Sequence, residues 1–232
     1  MASLPESDLT LVYYSASVVP KAFEWEVVKR LKKMNLPIVA VTHDSRDWEW
    51  FPNLILSDLP RSQASIYRQL LIGAKAAQTK YVACCEDDVL YSPEHFKFRP
   101  KAGHWGYNMN PWSIFTWGTA MFTYKAPGGR RNLNGLICER QLLIDHLEER
   151  FRLWPDEFDI NIFGEPGKYD NQLGTTPHPS QDFYINPPNI VFSHQTNLQF
   201  AGLGERKGLG QIRATEIPYW GKAEDIRSYY GL

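Results

Sequence analysis

The chain has 232 residues, a formal net charge of −1 and a hydrophobic share of 43%. That is enough apolar material for one packed domain, and no run of 18 apolar residues is present to span a membrane. The near-neutral balance excludes a wholesale electrostatic grip on nucleic acid, which needs a basic excess, and three cysteines are too few for a disulfide framework.

Leu9 to Ser15 (LTLVYYS) reads as a buried strand, rich in β-branched and aromatic residues. Pro20 suits the first turn of a helix, on which Phe23, Val27, Leu31 and Met34 recur at three- and four-residue steps until Asn35 breaks the pattern. Pro37 to Thr42 is a second buried strand ending at His43-Asp44, and Leu54-Ile55-Leu56 a short third. Ser62 caps a helix expected to run to about Thr79, with Ile66, Leu70, Ala74 and Ala77 on its core face. Tyr81 to Cys85 is a fourth strand, and Glu86-Asp87-Asp88 follows it directly. Strands with continuous apolar runs, alternating with helices, imply an α/β fold with a mostly parallel central sheet and helices on both faces. Ligands in such sheets bind beyond the C-terminal strand ends. Ser15-Ala16-Ser17, His43-Asp44 and the acidic triplet all lie there.

The second half is aromatic and irregular from Lys97 to Lys125, with antiparallel strands expected between Ile114 and Tyr124. Leu136 to Phe151 reads as a third helix, with Leu143, Leu147 and Phe151 inward. Residues 154 to 180, rich in Pro, Gly, Asn and Asp, read as a long loop. Ile190 to Phe192 is a short strand ending at Ser193-His194. Cys84, Cys85 and Cys138 read as buried thiols, which suits a reducing compartment. Met1 to Asp8 lacks the basic-then-apolar order of a signal peptide. A cytoplasmic location is the expectation, with no membrane partner.

Three consecutive carboxylates at a buried strand end repel one another, and a divalent cation supplies the counter-charge. Hard oxygen ligands suit Mg²⁺ or Mn²⁺. The triplet, the small-residue loop Tyr14-Ser15-Ala16-Ser17, the strand ending in Asp44 and the helix carrying Arg68 together resemble the GT-A fold glycosyltransferases, over about residues 9 to 210. Their DxD motif matches Glu86-Asp87-Asp88, with Glu in place of the first Asp. The resemblance implies a GT-A-like, Rossmann-type sandwich and transfer of a sugar from a nucleotide-diphosphate donor to a hydroxyl. It implies that Asp88 holds the metal, that Glu86 meets the ribose or acts through water, and that Tyr14, Ser15, Ala16, Asp44, Arg68 and Asp87 line the nucleotide sugar. SHQTN resembles the element whose His completes the metal shell in some of these enzymes, which makes His194 the second ligand. The other histidines show no metal-ligand spacing. An inverting reaction needs a carboxylate base. The family's downstream acidic residue points to Asp182, with Glu139 in reserve.

Gly202 to Gly210 holds Arg206 and Lys207 among four glycines and reads either as a surface loop or as a lid meeting the diphosphate. Lys97, Arg99, Lys101, Arg130 and Arg131 bracket Trp105, Tyr107, Trp112 and Trp117. A basic and aromatic face of this kind, led by Trp105 and Trp112, fits either a glycan or a nucleic acid. A hydroxymethylated base in bacteriophage DNA is one expected acceptor; a glycan or small molecule is the other. One glycosyltransferase domain over 1–232 is expected, with a nucleotide-sugar half (1–92), an acceptor half (93–200) and a lid and tail (201–232). The rival readings are a nucleotidyltransferase, whose Gly-rich basic loop Ser15 to Val19 lacks, and a non-catalytic binding module, which leaves the triplet without a role.

Overall fold

The computed structural model describes residues 7–44, 51, 53–125, 131–155, 164–195 and 210–231. Strand β1 is Leu9–Ser15, buried along its whole length. Helix α1, Lys21–Lys33, opens after Pro20; just beyond its end Asn35 takes a left-handed φ of 55°. Strands β2 (Ile38–Thr42) and β3 (Leu54–Leu56) follow. Helix α2, Gln63–Ala76, starts where the Ser62 hydroxyl accepts the Ser65 amide at 3.2 Å. It stops three residues short of the expected Thr79. Strand β4 is Tyr81–Glu86, and β5 (Val89–Leu90) begins after two intervening residues, Asp87 and Asp88.

The next strands are β6 (Trp105–Asn108), β7 (Pro111–Phe115) and β8 (Phe122–Tyr124). The expected third helix is divided. Leu136–Glu139 is strand β9, and only Arg140–Leu153 forms helix α3. β9 pairs antiparallel with both β4 and β6. Its residues Leu136, Ile137 and Cys138 are fully buried, so the strand shows no polar alternation to set it apart from the helix that follows. The expected loop also carries structure: a short helix α4 at Asp170–Leu173 and the start of strand β10, Ser180–Phe183. Strand β11 is Asn189–Ser193 and β12 is Ile212–Ala214. A two-stranded turn and the helix Ala223–Ser228 close the described chain.

The central sheet has seven strands in the order β10-β6-β9-β4-β1-β2-β3. Only β9 runs against the others. A second sheet, β12-β8-β7-β11-β5, is built from the inserted strands. Alternate residues of β1 serve two cores. Leu9, Leu11 and Tyr13 join Phe23 and Val27 of α1 and Phe122, Ile190 and Phe192 of the second sheet. Val12 and Tyr14 join Leu70 and Ala74 of α2 and Leu143 and Leu147 of α3. The expected mostly parallel α/β sandwich with both faces covered is therefore the observed one. Gly73 lets α2 lie close to the sheet, since a Cβ there would come within 2.4 Å of Val12 Cγ1. No helix among the described residues is long and apolar enough to cross a membrane.

Candidate active site

The acidic triplet lies at the hinge between the two sheets: Glu86 ends β4 in one, and β5 enters the other at Val89. β11 pairs antiparallel with β5, Val191 facing Val89, and the Phe192 amide donates to the Asp88 carbonyl at 2.8 Å. That register delivers the residue just after β11 to the triplet. His194 Nε2 stands 3.6 Å from Asp88 Oδ2, with Asp88 2% and His194 3% exposed. The sequence separation is large, but two adjacent strand ends make the meeting a consequence of topology.

Glu86 and Asp87 are held by neutral donors. The Tyr14 hydroxyl donates to Glu86 Oε1 at 2.7 Å, and the Asn134 amide donates to Oε2 at 2.8 Å. The Ser15 hydroxyl donates to Asp87 Oδ2 at 2.5 Å. Burial, and next the Asp88 charge, push Glu86 up to about 7, against the pull of its two hydrogen bonds. Asp87 is also pushed up, first by burial, then by the Asp88 and Glu24 charges. The turn is braced from below by Tyr91, whose hydroxyl accepts the Glu86 amide at 3.0 Å and donates to the Cys84 carbonyl at 3.3 Å.

The loop after β1 faces the triplet. Ser17 takes a φ of 56°, a strained choice for a residue with a Cβ. Its amide donates to Ser15 Oγ at 2.8 Å, which frees the Ser15 hydrogen for Asp87. Arg61, just before α2, donates through Nε to the Ala16 carbonyl at 2.8 Å. Its other four N–H groups belong to an exposed guanidinium. His43 spans the ends of β1 and β2. Its Nε2 lies 2.9 Å from the Leu59 carbonyl, and its Nδ1 lies 3.1 Å from the Gln69 amide nitrogen, which also donates to the Ser15 carbonyl. Nδ1 lies equally 3.1 Å from the Ser15 carbonyl, so each ring nitrogen faces a carbonyl oxygen. Asp44 is the next residue, its carbonyl accepting the Thr42 hydroxyl at 3.0 Å. Tyr14, Ser15, Ala16 and Asp44 thus share one rim with the triplet.

Among the described residues, a divalent cation at the triplet would meet two protein donors, the Asp88 carboxylate and the His194 imidazole. Among the described residues no group of three or more His, Cys, Asp and Glu side chains is arranged to hold a metal by itself. Mg²⁺ and Mn²⁺ in phosphate-transfer sites take one or two protein ligands and complete their shell with substrate phosphate and water. An oxygen and a nitrogen donor side by side at the strand ends fit that demand.

Several expected residues stand elsewhere. Glu139 pairs with Tyr81 at the start of β4. At about 3.3 Å per residue this is roughly 16 Å from Glu86, at the opposite end of the sheet, so it is no reserve base. Its oxygens take the Gly103 amide at 2.9 Å and Lys80 at 3.7 Å. Trp105 is fully buried, edge-on to His146, because β6 lies inside the sheet; it offers no acceptor surface. Arg99 is bidentate on Asp8 at the same far end, and Lys101 follows it there, its amide on Gln181. Arg68 lies over the Phe151 ring and donates to the Pro155 carbonyl at 2.5 Å, turned toward α3. Asp182 sits on the edge strand β10 with Arg131 across both oxygens at 2.8 and 3.1 Å. Three strand spacings, roughly 14 Å, separate β10 from β4. Lys97 pairs with Glu94 at 2.5 Å. Trp112 is half-buried and stacks on Tyr124 at 5.6 Å. Arg130, Arg206 and Lys207 lie outside the described residues.

Four residues that the sequence reading passed over belong to the site. Gln69 is a polar residue in the core-facing run of α2, and Asn134 lies just before the apolar run of β9; each is a buried amide with a carbonyl, ring or carboxylate to serve. Arg61 carried no local signal. Tyr230, in the aromatic tail, stacks on His194 with centroids 5.7 Å apart. Burial, then the Asp88 and Asp87 charges, push its phenol up to about 12.

No family of related sequences matches this chain, and no curated protein matches it in sequence. Among solved structures it is similar to a nucleotidyl transferase from Methanothermobacter, at 13% identity and a TM-score of 0.47 over 78% of this chain and 89% of that one. It is similar to a glycosyltransferase involved in glycosylation of the major capsid of PBCV-1, at 10% identity and 0.47 over 83% and 97%. It is also similar to the inositol-1-phosphate CTP transferase from T. maritima, at 14% identity and 0.46 over 85% and 96%. These neighbours are nucleotidyl- and glycosyltransferases; at such values the likeness carries no argument about the reaction of this chain.

Proposed function

We propose that this chain is a divalent-cation-dependent glycosyltransferase that moves a sugar from a nucleoside diphosphate donor to a hydroxyl acceptor. The observation that carries the reading is the convergence of Asp88 and His194, 3.6 Å apart, beyond the C-terminal ends of β4 and β11. Asp88 and His194 would hold Mn²⁺ or Mg²⁺, which as a Lewis acid offsets the negative charge that grows on a departing diphosphate. Tyr14 and Asn134 fix the Glu86 carboxylate at the rim, where it can accept from a ribose hydroxyl. Ser15 fixes Asp87. Arg61 presents its terminal nitrogens beside the Ala16 loop, in reach of a phosphate and in the role expected of Arg68. The loop after β1 lacks the Gly-rich basic sequence that nucleotidyl transfer uses, which favours sugar transfer over its nearest rival.

The acceptor is read as a glycan or small hydroxyl compound rather than modified bacteriophage DNA. Lys97, Arg99 and Arg131 are each held by a carboxylate, so the expected basic face is largely neutralised. The test is a mass-shift assay. The protein is incubated with a pool of nucleotide sugars, Mn²⁺, and glycan, small-molecule and hydroxymethylated-DNA acceptors. A parallel assay supplies nucleoside triphosphates and sugar phosphates. The expected result is a sugar mass added to a glycan or small acceptor, lost on chelation. Pyrophosphate release in the parallel assay instead identifies a nucleotidyltransferase, and modification of the DNA restores the DNA reading.

A further inference from the structure

The His194 ring reaches Asp88 through only one of its nitrogens, so its plane has to be held. β11 ends at Ser193, so the strand ladder fixes the backbone up to the residue before the ring. The ring itself is met by Tyr230, whose centroid lies 5.7 Å away with the planes inclined by 30°. Tyr230 is in turn wedged between Phe23 of α1, at 5.1 Å and 55°, and Phe192 of β11, at 6.1 Å and 18°. Aromatic groups at these separations prefer defined relative orientations, which an aliphatic neighbour does not impose.

The tail that carries Tyr230 is anchored at several points. Ile226 and Ala223 of the last helix are buried, and Arg227 donates to the Gly118 carbonyl at 2.5 Å. The Tyr230 amide bonds the Arg227 carbonyl at 3.0 Å, continuing the helical turn. Next to it, the Tyr229 ring lies under the Arg30 guanidinium at 5.6 Å, and Arg30 also covers Trp220 at 5.4 Å. The last described turn of the chain is thus fastened to α1 on one side and to the β7–β8 connection on the other. Between these attachments its aromatic ring closes the wall behind His194.

We infer that Tyr230 is a positioning residue, which sets the plane of His194 by ring stacking so that Nε2 faces Asp88. The inference rests on the proposed cation role of Asp88 and His194. A ligand side chain held by an outer partner binds metal more tightly than one that must be ordered on binding.

The experiment compares full-length wild type with Tyr230→Phe, Tyr230→Leu, His194→Ala and the double variant Tyr230→Leu/His194→Ala. The first readout is affinity for Mn²⁺ alone, followed by water-proton relaxation. The second is the proton Overhauser contact between the His194 ring and the Asp88 Cβ hydrogens in the metal-free protein. Thermal melting checks that each variant folds. Tyr230→Phe should match wild type in both readouts. Tyr230→Leu should keep its melting temperature within a few degrees, lose the ring contact and bind Mn²⁺ about tenfold more weakly. The double variant should be no weaker than His194→Ala, since both remove one function. Retention of the ring contact in Tyr230→Leu, or additive losses in the double variant, overturns the inference. Absence of Mn²⁺ binding in wild type strikes the proposed metal function instead, and the ring contact still decides the role of Tyr230.

Discussion

At the N-terminal end of the central strands, Asp8 is matched by Arg99 and Glu139 by Lys80 and a backbone amide. At the C-terminal end of the same strands, Glu86 and Asp87 are held by two hydroxyls and an amide, with Asp88 beside them. Asp8 is held below its ordinary value, chiefly by its hydrogen bonds from Arg99, whereas Glu86 and Asp87 are held above theirs. One end is a finished surface in which each of these acids has its base. At the other, neutral hydroxyl and amide donors orient the Glu86 and Asp87 carboxylates. That contrast, within a single sheet, marks the end at which the proposed cation would bind.

The largest effect should come from Asp88→Asn, which removes the buried carboxylate beside His194. Turnover is expected to fall at least tenfold, about 1.4 kcal/mol of transition-state stabilisation. The melting temperature should hold or rise, because repulsion on Glu86 and Asp87 is relieved. Near-wild-type turnover at saturating Mn²⁺ would break the contrast between the two ends. Arg61→Ala ranks next. A roughly three- to tenfold rise in KM for the donor is expected, with kcat less affected, since its guanidinium lies beside the loop rather than in the triplet. An equal fall in kcat with KM unchanged would move Arg61 out of donor binding.

Glu86→Gln tests the charge directly. A carboxyl whose folded value is about 7 binds its proton more tightly folded than unfolded, where the value is 4.5. Stability from this group is therefore lost as pH rises from the unfolded value through 7, at up to about 1.4 kcal/mol per pH unit. Between pH 5 and 7.5, metal-free wild type should lose stability relative to Glu86→Gln by roughly 2 kcal/mol. Parallel pH profiles of the two proteins in urea melts would show that Glu86 is not strained. The smallest effect belongs to the far end. Arg99→Ala breaks an exposed pair and should cost less than about 1 kcal/mol, with unchanged turnover. A large loss of activity there would mean that the two ends are coupled.

The half of the fold that alternates strand and helix was legible because each element carries its own punctuation. Pro20 opens α1, Asn35 lies just past its end, and the Ser62 hydroxyl caps α2. The triplet was legible because three acids after an apolar strand have few structural uses. β6 and β9 were not, since four-residue strands covered on both faces show no period; Trp105 was read as a platform and Leu136 as helix for the same reason. Glu139 and Arg99 were misplaced because sequence proximity to a functional segment does not reveal which end of the sheet a residue faces. His194 was found through a strand-end resemblance. Gln69, Asn134 and Tyr230 act through contacts 17 to 144 residues distant from the triplet, counted from Glu86, and no local pattern announces them.

The three cysteines turn the strand carrying the triplet into its own chemical clock. Cys84 and Cys85 lie on β4 and Cys138 on β9, all free and fully buried, and burial pushes each thiol well above its ordinary range. Thiolate is the species that reacts with alkylating reagents. Modification therefore waits until the seam between β4 and β9 parts and water enters. The alkylation rate of Cys84 and Cys138 counts those openings from inside the sheet, and any ligand that clamps the end of β4 should slow the count.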